Sequence, residues 1–537
     1  MEGDNQNGQK EEQKEKHSTE SDKEQTEQQH KPVEQHKHAE HHYMDAKKIK
    51  TIFTILFLLV LLTAGIVRIK YAFVESVWVD ETVYMWQGYR LLHEPSLMLT
   101  SDYYGNTPFP LLFIAFFNLF TSDRLIAGRL STYFFALLGI ALAYLIGKEL
   151  KDEHTGLLAA LLLIFNPLHW FIGSRTLMDL PEATMISLTV YLLLRFEKDR
   201  NLYNGLFLFL AIIATAFTKL PGLLIVPGVI FYYMLTFLIE PKKIKERILL
   251  LKEKNNAIIA SIISIIVITL ILSKYTFIKG LIIAMQPRLD FVNQLPFMFT
   301  ITLLIFAGFG IAFSILYKNK NSLALICAIA SFLLAFSLFP AEPDPRHIAP
   351  IIPFGIIIAS YGFFELGAII KQFINVPYAE WILLVIGGLF VIQLYPQGIA
   401  LNVDKSYSFT GYNEAGEWFA QNLPTGTLAY VSSQGPMRLF SGLGYITEGG
   451  PIRQIQTFGD GEIPDFSKAT FPIYLHIDMW ERGPKWSYPL TQEKLGYLQS
   501  LGFQVVKVVE RQFPTQQGMQ KIPVHLILKG EKQKKFI

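Results

Sequence analysis

Long apolar runs constrain this chain more than anything else in it. A helix that crosses a bilayer needs about 20 mostly apolar residues, and eleven stretches meet that template: 51–68, 127–147, 155–173, 180–196, 202–217, 221–239, 257–273, 297–316, 321–339, 348–369 and 380–397. Half of the 537 residues are hydrophobic. A soluble domain could not bury so many long runs, so the expected class is a polytopic α-helical membrane protein. The run 107–121 is short and opens on Thr107-Pro108-Phe109-Pro110, which fits an interfacial or re-entrant helix in the first external loop.

The distribution of cations orients the runs. Lys47, Lys48 and Lys50 precede the first of them and place the N-terminus in the cytoplasm. Alternation then assigns Lys148–His154, Arg195–Arg200, Glu240–Lys254, Tyr317–Asn321 and Lys371–Glu380 to the same side. The third of these loops carries Lys242, Lys243, Lys245, Arg247, Lys252 and Lys254. A full crossing by 107–121 would put this basic loop outside, so the eleven-helix count is preferred. The external face then receives Arg68 to Arg124, Ser174–Asp179, Thr218–Leu220, Lys274–Pro296, Phe339–His347 and everything after about residue 398. A net charge of +3 is no footprint of nucleic-acid binding.

Three regions follow. Residues 1–46, rich in Glu, Gln, Lys and His, read as a disordered cytoplasmic tail. Its histidines suit a solvated low-complexity segment better than a metal tract, because no fixed ligand frame accompanies them. Residues 47–398 form the transmembrane region, and 399–537 a small extracytoplasmic α/β domain. In that domain 411–422 has helical periodicity, and Thr427–Ser432, Phe471–Ile477, Phe503–Val509 and Val524–Leu528 read as strands. Cys327 lies alone within an apolar run, and His169 and Trp170 read as interfacial anchors.

Sidedness gives the charged residues their interest. Asp80, Glu81, Asp179, Glu182, Lys219, Arg346 and His347 all fall on the external face. Taken singly, Asp80 can be an N-cap and Glu81 a first-turn acid, and Asp179-x-x-Glu182 has capping-box spacing with Pro181 in the first turn. Lys219 and the proline-framed Arg346 can bind phosphate or snorkel to headgroups. Arg124, Arg129 and Arg175 are further candidates, for each of which a plain interfacial anchor is the preferred reading. A helix N-terminus also keeps a carboxylate ionised, so capping and proton acceptance are compatible. No Walker A, G-x-S-x-G, H-E-x-x-H or dinucleotide motif occurs where it could act. A transferred group would therefore arrive already activated, and a lipid phosphate is its natural carrier. The pattern demands no cofactor; a divalent cation at Asp80-Glu81 is possible, although two ligands are too few to argue one.

Trp78-Val79-Asp80-Glu81-Thr82-Val83-Tyr84 resembles the first-loop "DE…Y" signature of GT-C glycosyltransferases, more narrowly the protein mannosyltransferase and aminoarabinose transferase branch. Ala127-Gly128-Arg129-Leu130-Ser131, Phe165-Asn166-Pro167 with Arg175 and Asp179, Thr218-Lys219-Leu220-Pro221-Gly222 and Arg346-His347-Ile348-Ala349-Pro350 are similar to further segments of that branch, over about residues 50–365. The chain departs from the family pattern in Asn106-Thr107-Pro108-Phe109-Pro110, which lacks a basic residue and a double proline, and in His347, where Tyr is usual. Oligosaccharyltransferases share the fold class but carry a WWDxG motif that is missing here. The resemblance implies transfer of a single sugar from a polyprenyl- or dolichyl-phosphate donor to a hydroxyl acceptor (protein, lipid or glycan) on the outer face. It implies Asp80 as catalytic base, supported by Glu81 and Asp179, with Lys219, Arg346, His347, Arg129 and Arg175 as donor-phosphate ligands. The rival readings are a transporter of a lipid-linked sugar or ion, whose charges belong near the midplane, and a sensor built on the external domain.

Overall fold

Apolar composition sets which segments become long helices, and the ends of those helices carry the polar chemistry. The computed structural model describes residues 48–96, 108–239, 290–338, 344–374, 376, 378–424, 427–443, 454–457, 472–480 and 490–531. The tail 1–46, the basic loop 240–254 and the expected span 257–273 lie outside them. Contacts gather into two units, Met1–Val60 and Leu61–Ile537. In the first unit the helix starting at Lys48 exposes Ile49, Ile52, Ile55 and Leu58, and Thr54 Oγ1 donates to Lys50 O at 2.9 Å.

Six described helices are long and apolar enough to cross a membrane: Lys48–Ala72 (α1), Arg124–Leu150, Leu220–Ile239, Lys320–Leu338, Ile351–Phe373 and Ala379–Ser406. Three expected spans are shorter. The run 155–173 breaks into Glu153–Phe165 and Pro167–Ile172 at Asn166-Pro167, where the Asn166 side chain accepts from His169 N at 2.9 Å. A proline disfavours helical backbone in the residue before it, and Asn can cap a new start. Leu202–Ala216 and Ile301–Leu316 are the other two. The run 107–121 becomes the 11-residue helix Pro108–Asn118 (α3), about 16 Å long and so half a hydrocarbon core. The last expected span, 380–397, turns at Leu389-Phe390 and runs on to Ser406, past the expected domain boundary.

Small residues let these helices approach. A Cβ on Gly362 would overlap the backbone of Phe306 and Gly310, so Ile351–Phe373 and Ile301–Leu316 pack backbone to backbone there. Apolar side chains such as Ile301, Ile305, Ile315 and Leu316 stay exposed, as a lipid-facing surface requires. His169 and Trp170 depart from expectation: they are 1% and 2% exposed, not interfacial. His169 Nδ1 lies 2.8 Å from Arg68 Nη2, and the Arg68 guanidinium also donates to the carbonyls of His169, Leu163 and Ile164. The bare carbonyls at the Asn-Pro break are thereby satisfied.

The C-terminal part is a mixed sheet covered by helices. Strands β1 (Leu428–Val431), β2 (Gln454–Thr457), β3 (Ile473–Asp478), β4 (Phe503–Thr515) and β5 (Gly518–Gly530) lie in the order β2-β1-β3-β5-β4. The first three are parallel, while β5 is antiparallel to both β3 and β4. Helix Tyr412–Asn422 forms where expected, and Tyr412, Ala415 and Phe419 pack on Val431, Tyr474 and Ile527. Sequence patterning did not find β2 or the helices Gln434–Ser441 and Gln492–Ser500, and it stopped β4 at Val509.

Candidate active site

The acidic pair sits on helix α2 (Val79–His93), which begins two residues earlier than the start at Glu81 that an Asp80 N-cap implies. Trp78 is the N-cap, so Asp80 and Glu81 are both first-turn acids and Asp80 caps nothing. Successive helical residues point about 100° apart, and the two carboxylates enter different surroundings.

Glu81 turns inward and is 0% exposed. Its Oε1 accepts from Trp78 N at 3.1 Å and its Oε2 from Thr176 N at 2.8 Å. Two guanidiniums flank it, Arg129 Nε at 3.5 Å and Arg175 Nη1 at 3.9 Å. Arg129 also donates to the carbonyls of Ala72 (2.9 Å), Val74 (2.5 Å) and Ser76 (2.5 Å), and Arg175 to those of Ser76 and Lys405. One buried carboxylate and two buried cations thus fasten residues 72–76, the start of α2 and the 174–178 turn together. Arg129 and Arg175, expected as donor ligands, are 2% and 1% exposed and do not join Arg346 and Lys219. Their Nη groups donate to loop carbonyls. Each Glu81 oxygen accepts one backbone N–H.

Asp80 faces the other way. Its side chain is 33% exposed, and its Oδ2 accepts from Arg346 Nη1 at 2.8 Å. Arg346 stands in the short 3-10 turn Pro345–Ile348, and its backbone N–H donates to Asp344 Oδ1 at 3.0 Å. The Asp344 carboxylate also lies 3.0 Å from Arg346 Nε, and the guanidinium lies 5.8 Å from the centre of the Trp78 ring. Burial alone would lower the Arg346 pKa, but Asp179, Asp80 and Asp344 hold it above the ordinary arginine value. His347 stacks on Phe336 with ring centroids 6.4 Å apart.

Asp179 opens helix Asp179–Lys198, whose N-cap is Met178 and makes no side-chain cap bond. The expected capping box is absent. Both acids of Asp179-x-x-Glu182 turn to Lys219 instead, at 2.6 Å from Asp179 Oδ1 and 3.8 Å from Glu182 Oε2. Lys219 lies between Leu202–Ala216 and Leu220–Ile239 with 21% of its side chain exposed. Burial works against its charge, but Asp179 and Glu182 reverse this and raise its pKa above the lysine norm. The pairs Asp80–Arg346 and Asp179–Lys219 make a mouth of alternating charge that is partly exposed at Asp80, Arg346 and Lys219, with the Asp179 carboxylate also acting on Arg346.

The C-terminal part backs this mouth. Val77 N donates to Phe409 O at 3.1 Å, Gly411 N to Glu75 Oε1 at 2.9 Å, and Ser76 Oγ to Lys405 O at 3.0 Å. Arg511 bridges Glu75 (2.6 Å) and Glu414 (2.9 Å). Arg124 donates to Leu439 O at 3.1 Å while lying 4.2 Å from the centre of the Tyr89 ring. Residues 75–78 are therefore held from both sides immediately before Asp80. Sequence reasoning did not assign Glu75, Arg511 or Asp344. Only Asp344, framed by Pro343 and Pro345, carried a local signal.

Residues 106–268 match the family model described as dolichyl-phosphate-mannose-protein mannosyltransferase. No curated protein sequence matches the chain. Among solved structures it is similar to ArnT from Cupriavidus metallidurans in the apo state, with TM-score 0.60, 14% identity, and 90% of this chain and 100% of that one covered. ArnT bound to undecaprenyl phosphate gives TM-score 0.61 and 13% identity over 89% of this chain and 99% of that one. The archaeal oligosaccharyltransferase AglB from Archaeoglobus fulgidus in its apo form gives TM-score 0.54 and 13% identity over 87% and 74%. The same enzyme has also been solved with an inhibitory peptide and a dolichol-phosphate. The chain has the GT-C fold, with a small C-terminal sheet region.

Proposed function

We propose that this chain is a multi-pass membrane glycosyltransferase. It would transfer one sugar from a polyprenyl- or dolichyl-phosphate donor to a hydroxyl acceptor on the extracytoplasmic face, with inversion at the anomeric carbon. The observation that carries this reading is the mouth itself: a carboxylate one-third exposed, Asp80, paired with Arg346, and a second cation, Lys219, held by Asp179. The match to mannosyltransferases and the lipid phosphates bound by ArnT and AglB support a lipid-phosphate donor. A mannosyl-type sugar is the corresponding finer proposal. Alternation of the apolar segments with basic loops supports a cytoplasmic N-terminus and an extracytoplasmic C-terminal domain.

In the proposed reaction the acceptor hydroxyl gives its proton to the Asp80 carboxylate as its oxygen attacks the anomeric carbon. The bond from that carbon to the phosphate oxygen breaks on the opposite face, and the lipid phosphate leaves with the electron pair. Arg346 and Lys219 neutralise the charge growing on it, with His347 beside them. The incoming phosphate competes with Asp80 for Arg346, and this exchange frees the carboxylate to meet the acceptor. Asp179 orients Lys219, whereas Glu81, Arg129 and Arg175 fix the loop from which Asp80 projects and touch neither reactant. The charges sit at helix ends, which favours the enzyme over a transport pathway.

The test is transfer from a radiolabelled polyprenyl-phosphate sugar in proteoliposomes. Wild-type protein should release free lipid phosphate together with a glycosylated product. Asp80→Asn should keep donor binding and lose turnover; wild-type turnover in that variant would end the assignment of the base.

A further inference from the structure

Two histidines and an aspartate meet in the interior of the C-terminal sheet, away from the mouth. His476 and Asp478 are two residues apart on β3, and alternation along a strand puts both on one face. The register sets Asp478 directly across from His525 on β5, where opposed Cβ atoms stand about 5 Å apart. All three are buried, with 0%, 0% and 1% exposure, and their ligating atoms lie within 4.8 Å of one another. The geometry points to a site for a divalent cation of the zinc class at His476, Asp478 and His525.

Side-chain orientation carries the case beyond proximity. His525 Nε2 lies 2.8 Å from Thr410 O, so that nitrogen carries the proton and donates it to the carbonyl. The Nδ1 lone pair is thereby aimed into the cluster. A histidine whose second nitrogen is pinned to a backbone carbonyl is the usual arrangement of a metal ligand. His476 Nε2 lies 3.0 Å from that Nδ1. Metal–nitrogen bonds of 2.0–2.1 Å set neighbouring ligand nitrogens about 3.0–3.4 Å apart, so this spacing serves ligation as well as a hydrogen bond. Binding needs only the His476 proton to move from Nε2 to Nδ1, with no net change in protonation. Asp478 Oδ1 accepts from Trp480 N at 3.0 Å, which fixes the plane of the carboxylate.

A set of two nitrogens and one oxygen suits Zn²⁺ and its neighbours, with solvent completing the shell. The ion would tie β3 to β5 beneath Tyr412, whose ring lies 4.5 Å from that of His525. It would also fix Thr410, between Phe409 and Gly411, the two residues that hold Val77 and Glu75. The role is structural and independent of the reaction proposed above. The rival is a metal-free pair of neutral histidines joined by a hydrogen bond.

The experiment uses the full chain with His17, His30, His36, His38, His41 and His42 of the tail changed to Ala, so that the tail cannot bind metal. After chelator treatment, the expected result is uptake of one equivalent of Zn²⁺ by elemental analysis, with a rise in the thermal midpoint. Co²⁺ should give visible ligand-field bands that Zn²⁺ abolishes. Asp478→Asn and His525→Gln should each weaken binding by more than ~10-fold, the least expected even from losing a hydrogen-bond partner of a metal ligand. If either variant misfolds, the tail-substituted parent decides alone: sub-stoichiometric zinc, no cobalt bands and an unmoved midpoint would overturn the site. Folded Asp478→Asn that binds as tightly as the parent would overturn it too.

Discussion

Asp80 and Glu81 share a peptide bond, yet the first leaves a third of its side chain to solvent and the second none. Asp80 has a single guanidinium partner, which another anion can take. Glu81 is locked by two backbone N–H groups and two buried guanidiniums. A buried ion cluster contributes little net stability over apolar packing but is costly to break in part. An exposed pair contributes little to stability in either case and stays available for chemistry. Two acids that look equivalent in sequence therefore divide the labour in the proposed reaction: Glu81 would set where the loop lies, and Asp80 would act from it.

Changes that break this division should rank by effect. Asp80→Asn should lower sugar transfer by ~10²–10⁴-fold, the range for removing a general base, with the thermal midpoint unmoved. Glu81→Gln should act through the fold, costing about 3–5 kcal/mol because Arg129 and Arg175 lose their counter-charge. Denaturation in mild detergent would show this, and a Glu81→Gln chain that is fully stable yet inactive would move Glu81 into the chemistry. Arg346→Lys keeps the charge but loses the planar fork, so kcat/KM for donor should fall by roughly 10–100-fold. Arg511→Ala, which opens the Glu75–Glu414 bridge, should cost about 1 kcal/mol, chiefly as a loosened C-terminal part in hydrogen exchange.

The smallest effect concerns pH. The folded pKa of Lys219 is raised, so its pairing is fully present below the ordinary lysine value and is lost only as pH rises through the folded value. In a Glu182→Gln background, which removes the second acid beside Lys219, the difference in thermal midpoint between the Lys219 and Lys219→Met chains should then stay constant from pH 6 to 9. A difference that shrinks across that interval would show that the pair titrates there and that Lys219 is not permanently cationic.

Local pattern and distant partners differ in how far the sequence reveals them. The ladder of apolar runs, the short helix at Pro108, helix Tyr412–Asn422 and four of the five strands follow from periodicity and breaker residues. Asn166-Pro167 was a visible breaker that hydropathy averaged away. The grouping of Asp80, Asp179, Lys219 and Arg346 was legible because counting crossings puts all four on one face. The work of Arg129 and Arg175 was not, because their partners are backbone carbonyls of residues 72–76 and Lys405, which carry no side-chain signal. Glu75 and Arg511 stand 436 residues apart and meet only once the sheet is docked.

The most direct test measures turnover and stability together in Asp80→Asn and Glu81→Gln, using a labelled lipid-phosphate sugar and thermal denaturation of the same preparations. The account requires Asp80→Asn to be as stable as wild type and catalytically dead, and Glu81→Gln to be destabilised while its folded fraction still transfers sugar. A stable, active Asp80→Asn would contradict it, as would a Glu81→Gln chain whose folded fraction is inactive.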